Sequence, residues 1–168
     1  MVCIVATDRR QNGRNTEDAL LDDTNLRLLA ELQADARLSL AELGRRVGLS
    51  SPAVAERIAR LERDGVILGY HARIDPRALG FALSAVIRVR PAPLQLKQVA
   101  AVAQRSAEIV ECRRITGEDC FVMLAHVRSV EHLEELIDRF AAHGQTTTSV
   151  VQSAPVPPRG IDLGAAEG

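Results

Sequence analysis

Apolar positions along this chain change period at well-marked places, and those changes divide it. Leu26, Leu29 and Leu32 recur at helical spacing behind Asp22-Asp23, which predicts a first helix over about 23–35. A second, two-turn helix is expected from Ser39, where Glu42 three residues on completes a capping box, to Val47-Gly48. A third opens at Ser50 or Ser51 with Pro52 in its first turn and runs to about Asp64, before Gly65. Three helices with a tight glycine-containing turn between the last two describe a helix-turn-helix. Val66 to Ile74 gives two short extended runs around Gly69, a hairpin placed where a wing belongs.

Beyond a hinge expected over 75–81, with Pro76 and Gly80, the period changes. Leu83, Ala85, Ile87 and Val89 alternate as a strand; Leu96, Val99, Ala100 and Ala103 mark a helix; 109–115 reads as a strand and 116–119 as a turn. Residues 120–127 are apolar enough for a central strand, Val130, Leu133, Ile137 and Phe140 mark another helix, and 146–154 a last strand. The order β-α-β-β-α-β is that of a ferredoxin-like split unit, so the fold class is α+β. Both helices cover one face of such a sheet, which leaves the other for a second copy of the chain. The expected plan is an arm at 1–20, a winged helix-turn-helix at 21–74, the hinge, an effector-binding and oligomerisation domain at 82–154, and a tail at 155–168.

Composition narrows the function. No apolar run approaches the roughly 18 to 20 residues of a membrane span, and Met1 to Ala6 is too short for a signal peptide, so no membrane partner and a cytoplasmic setting are expected. Cys3, Cys112 and Cys120 form no CxxC pair and have no histidines close by, so no metal and no cofactor are expected; Cys112 and Cys120 read as reduced, buried thiols. The net charge of −1 is uninformative, but 37–73 holds seven Arg against four acids, whereas 106–168 holds five Arg against ten. The two halves face different partners.

On the third helix Val54, Ile58 and Leu61 make the core face, while Ala53, Glu56, Arg57 and Arg60 share another face, offered to the major groove of double-stranded DNA. Arginine bonds guanine bidentately, and small Ser50, Ser51 and Ala53 let the helix start approach phosphate or a thymine methyl. Arg45, Arg46 and Arg73 are candidate phosphate contacts. Any one of these charges is equally at home on a solvated helix face; the combination with cap, turn and wing points to DNA.

The strings Leu21-Asp22-Asp23, Ala34-Asp35-Ala36-Arg37-Leu38-Ser39, Val47-Gly48-Leu49-Ser50, Arg57-Ile58-Ala59-Arg60-Leu61-Glu62, Gly65-Val66-Ile67-Leu68-Gly69-Tyr70 and Ala78-Leu79-Gly80 together resemble the Lrp/AsnC family of feast/famine regulators. The resemblance runs from about Leu21 to Ala154. It implies a DNA reader joined to a sensing domain, homodimers that assemble to tetramers or octamers, and an amino acid as small-molecule effector. Family effectors sit between dimers near the loop that here is Gly117, Glu118, Asp119 and Cys120, where many members show Gly-x-x-Asp; Asp119 falls one place early and Cys120 takes the usual position of the aspartate. Thr146 and Thr148 belong to a Thr/Ser-rich last strand that can line the same pocket. Haem-pathway decarboxylases resemble this two-domain family too, but catalysis needs convergent groups, and His71, His126, His132 and His143 are scattered over wing, strand, helix and loop. No enzyme is expected. An effector-binding scaffold without DNA binding would leave Arg57 and Arg60 unexplained.

Overall fold

The computed structural model describes residues 20–163, and these fall into two compact units that divide between Ala72 and Arg73. The expected arm therefore lies outside the described residues, Leu20 excepted. In the first unit α1 spans Asp23–Ala34, α2 Leu40–Val47 and α3 Ser51–Arg63. Each start is capped by an oxygen side chain: Asp22 accepts the Asn25 N–H, Ser39 that of Glu42 and Ser50 that of Ala53. Gly48 closes α2 in the left-handed conformation, with φ 77°. A second glycine makes the turn tight. The Leu49 N–H donates to the Gly44 carbonyl at 2.8 Å, and a Cβ on Gly44 would lie 2.4 Å from the Leu49 oxygen.

Leu28, Leu43, Val47 and Val54 close the core of this unit, with Leu32, Leu38, Leu49 and Ile58 packed around them. Full burial of such a side chain contributes about 1.5 to 3 kcal/mol. On α1 the fully buried row starts at Asn25 and Leu28, so the leucine row expected to lead, Leu26 and Leu29, is only half-buried. The expected wing hairpin is not formed: 66–75 contains no strand. Two runs of a few residues around one glycine gain too little from pairing with each other, and Tyr70 instead donates its hydroxyl to Glu62 of α3 at 3.0 Å. Residues 156–163 belong with this unit, where the Gln33 amide donates to the Ile161 carbonyl at 3.1 Å and accepts its N–H at 2.7 Å.

The second unit holds β1 (Leu83–Pro91), α4 (Leu96–Arg105), β2 (Ile109–Arg114), β3 (Phe121–Val127), α5 (Val130–Ala141) and β4 (Gly144–Val150), after a short 3-10 turn at Arg77–Leu79. The sheet is antiparallel throughout, in the order β2-β3-β1-β4, which puts β3 and β1 in the centre. Alternation sorts its faces. Ala85, Ile87, Val89, Phe121, Met123, Ala125 and Val127 are buried against α4 and α5 with Val99, Leu136 and Phe140. The opposite face carries Val86, Val122 and Leu124 between Ser84, His126 and Arg88, and neither α4 nor α5 covers it. Val86, Val122, Leu124, Glu111 and Arg113 line a shallow depression of about 320 Å³ there.

Cys112 corrects the expectation of buried thiols. It is exposed and Cys120 half-buried, because edge strand β2 has only one neighbouring strand and everything after Ile109 on it is open.

Candidate nucleic-acid interface and effector loop

The reading face of α3 is built by its own start. Ser50 stands at the N-cap, Ser51 opens the helix, and the side chains one and two turns on converge with the start of α1 around a cleft of about 260 Å³ lined by Asp22, Asn25, Ala53, Glu56, Arg57 and Arg60. Glu56 and Arg60 are exposed; Arg60 lies 3.7 Å from Asp64, a loose i,i+4 pair. Arg57 is turned inward. Its Nη1 donates to Asp22 Oδ2 at 2.7 Å and to Asn25 Oδ1 at 3.0 Å. Burial alone would raise the Asp22 carboxyl, but the Arg57 guanidinium and the Asn25 N–H hold it below its ordinary value.

On α2, Arg45 forks onto Glu42 with two bonds, and Arg46 donates one bond to the same carboxylate and reaches Glu31 of α1 at 2.6 Å. Hydrogen bonds from both arginines draw Glu42 down to about 2. Its carboxylate is thus engaged by the arginines, although the Ser39 half of the capping box is in place. Arg73 groups with the second unit, one residue past the division, and so does not belong to a wing of the first.

In the second unit the loop between β2 and β3 carries Gly117 at φ 110° and, unusually for a residue with a side chain, Cys120 at φ 49°. The Ile115 N–H donates to the Cys120 carbonyl at 2.8 Å, closing the turn. Its two acids turn back onto β1: Glu118 accepts from Arg90, and Asp119 lies 3.8 Å from Arg88. Arg88 and Arg90 are therefore partners of the candidate effector loop that alternation in β1 offers but the sequence reading passed over. Thr148 lies opposite Ile87, so it and Thr146 point to the helix-covered face, whereas Thr147 and Ser149 share the open face with Arg88. The loop acids and the two threonines are thus divided between the two faces of the sheet. The Thr148 Oγ1 is buried without a hydrogen-bond partner. Among the described residues no cluster of His, Cys, Asp and Glu is arranged to hold a metal ion, and no helix is long and apolar enough to cross a membrane.

His126 pairs with Ser84 on the open face, Nδ1 to Oγ 2.9 Å, and His71 is exposed. His132 accepts the Arg128 N–H at Nδ1 and meets Glu108 through Nε2 at 3.0 Å, while Arg139 donates two bonds to the same carboxylate. Burial pushes Glu108 up, but Arg139 and His132 together bring it to about 2. This triad ties α5 to the start of β2.

Comparison with known sequences decides what these parts belong to. Residues 21–62 match the AsnC-type helix-turn-helix domain, and residues 84–161 the Lrp/AsnC ligand binding domain. The chain belongs to the Lrp/AsnC family. It is 43% identical over 134 residues, 80% of this chain and 95% of the relative, to the uncharacterized HTH-type transcriptional regulator YezC of Bacillus subtilis. With the HTH-type transcriptional regulator LrpA of Mycobacterium tuberculosis it shares 40% over 134 residues, 78% and 89% of the two chains. Among solved structures, a feast or famine regulatory protein from M. tuberculosis complexed with L-methionine superposes with a TM-score of 0.79 at 37% identity, covering 84% of this chain and 98% of that one. This Lrp/AsnC chain is thus a transcriptional regulator with a DNA-binding helix-turn-helix and a ligand-binding domain.

Proposed function

We propose that this regulator acts in the cytoplasm as a homodimer that reads double-stranded DNA with α3, and that an amino acid adjusts its assembly into tetramers or octamers. The observation that carries the reading is the start of α3. Ser50 and Ser51 form the helix end, where backbone N–H groups favour a phosphate, and Ala53, Glu56 and Arg60 border the open cleft that follows along the helix. Arg45 and Arg46 of α2 supply positive charge for the DNA backbone. A gel shift on the protein's own upstream region tests it: Arg60→Ala weakens binding, wild-type affinity falls steeply with salt, and a flat salt dependence removes the nucleic-acid role.

Dimerisation uses the uncovered sheet face, where Val86, Val122 and Leu124 form an apolar strip. Leu124→Glu in the full chain turns the dimer into a monomer by light scattering; an unchanged mass excludes that face. The effector is a small amino acid, held where the loop of Gly117, Glu118, Asp119 and Cys120 meets a neighbouring dimer; Thr146 and Thr148, on the helix-covered face, stand outside it. The L-methionine complex of the M. tuberculosis relative supports this chemistry. Calorimetry with the twenty amino acids, repeated on Gly117→Asp, identifies the ligand; a binder indifferent to that substitution means that the loop is only a turn.

A further inference from the structure

Arg57 stands on the stretch of α3 that meets DNA, yet its guanidinium is held within its own unit. The carboxylate that holds it does two tasks: Asp22 Oδ2 accepts from Arg57 at 2.7 Å, and Oδ1 accepts the Asn25 backbone N–H at 2.7 Å, the capping bond of α1. Behind this pair Asn25 is 3% exposed, its Oδ1 accepting from Arg57 and its Nδ2 donating to the Leu20 carbonyl at 2.8 Å. One constellation thus joins the turn before α1, the first turn of α1 and the middle of α3.

The geometry points to Arg57 as a positioning residue: through Asp22 and Asn25 it fixes the rotation of α3 against α1, and so the pose in which Ser51, Ala53, Glu56 and Arg60 meet the bases. This rests on the DNA-reading proposal above. The apolar contacts of Val54, Ile58 and Leu61 hold α3 against the core but are not directional, whereas two hydrogen bonds from one guanidinium nitrogen specify an angle. Recognition side chains need to be held to within about 0.5 Å and 10–20°, which a purely apolar seam does not ensure. Asp22 gives the idea its sharp edge. A carboxylate beside a polyanion repels phosphate, so if Arg57 were itself a DNA contact, removal of Asp22 would free an arginine and strengthen binding.

The test is operator affinity of full-length Asp22→Ser, Arg57→Met and the double variant, measured over a range of salt below each variant's melting temperature. Serine keeps the N-cap of α1 while removing the charge. Each single variant is expected to bind roughly 5- to 30-fold more weakly. The double variant binds no more weakly than the weaker single, because both remove one tether. The salt slope stays as in the wild type, and no single operator position loses its base preference while the others keep theirs. Asp22→Ser binding as tightly as wild type or tighter overturns the assignment, as does an Arg57→Met slope flattened by about 0.9, the signature of one lost phosphate contact. Hydrogen exchange in the DNA-free protein reads the tether separately. Amides in the first turn of α1 and around position 57 exchange faster in Arg57→Met, and unchanged exchange overturns the tether. Absence of DNA binding by the wild type, together with that acceleration in Arg57→Met, rejects the DNA-reading proposal and keeps the tether.

Discussion

Arginine–carboxylate pairs occur at both candidate sites of this chain, but their surroundings give them different work. The Asp22–Arg57 pair is backed by a buried asparagine and shares its carboxylate with a helix cap, so each atom has a fixed place. The Arg90–Glu118 pair stands on a solvent-exposed turn, where the Glu118 side chain is 81% exposed. Exposed pairs contribute about 0 to 1 kcal/mol, because water and salt compete with the partner and two long side chains lose freedom. The lesson is one of exchangeability. The Arg57 and Asp22 side chains are themselves 34% and 40% exposed, so it is the shared helix cap and the buried amide of Asn25 that fix their geometry, whereas a pair without such backing can give up its partner to a ligand of matching charge at little cost.

The strongest way to break that contrast is Asn25→Leu, which fills the same space but leaves the Leu20 carbonyl without a side-chain donor and Arg57 with one acceptor fewer. An unsatisfied buried polar group costs about 1 to 3 kcal/mol. The loss is expected near the top of that range, and hydrogen-exchange protection should fall in 20–72 while the sheet unit keeps its own. Equal loss in both units means that the asparagine does not act locally.

Glu108→Gln asks whether burial, rather than domain, sets the rule, since the Glu108 side chain is 12% exposed within the sheet unit. Loss of charge-assisted bonds to Arg139 and His132 should lower stability by about 1 to 2 kcal/mol at neutral pH. The acid side carries the signature. Glu108 titrates at about 2 in the folded chain against an ordinary 4.5, so the unfolded chain takes up its proton first. Its stabilisation is complete above 4.5 and fades as pH falls from there towards about 2. Denaturant titrations should show wild type and variant separated by a constant amount above about pH 5 and converging below it; a gap that persists in acid assigns the effect to packing.

Much of this was legible in the chain. Ser39, Ser50 and Gly48 mark helix ends because capping and left-handed stops are local; the near-alternation of 83–89 marked a strand, the apolar density of 120–127 a central one, and the β-α-β-β-α-β order left one sheet face open. What escaped depends on partners distant in sequence. Asn25 is the most buried polar side chain of the first unit, yet a search for apolar periods skips it, and only its joint contact with Asp22 and Arg57 explains the burial. Gly44 carries no signal in the local pattern, and only the Leu49 carbonyl lying against it shows why a glycine stands there. The wing failed for the reverse reason: Leu68 and Ile74 have strand-forming side chains, but strands need a partner, and 73% and 63% exposure shows that neither found one within its unit. Thr146 and Thr148 were placed by resemblance to a Thr/Ser-rich last strand, which says nothing of face.

The smallest expected effect on stability, and the one that tests exchangeability directly, belongs to Arg88 and Arg90. Each is close to half exposed and answers a loop acid, so Arg90→Ala should shift the free energy of unfolding by less than about 0.5 kcal/mol. If the loop takes an amino acid, the same substitution should act on the ligand instead. Two opposite directions are possible and they separate two roles. When the ligand carboxylate displaces Glu118 from Arg90, the alanine variant loses affinity, by a factor that shrinks as salt rises. When the ligand ammonium instead seeks Glu118, removal of Arg90 frees that acid and affinity increases. Arg88→Ala poses the same question of Asp119, whose side chain is 31% exposed, so a larger effect there would mean that burial grades exchange within the loop itself. Calorimetry on the two variants, using the amino acid that binds wild type best, measures all of this; affinities unchanged in both show that the loop ion pairs stand outside the effector site.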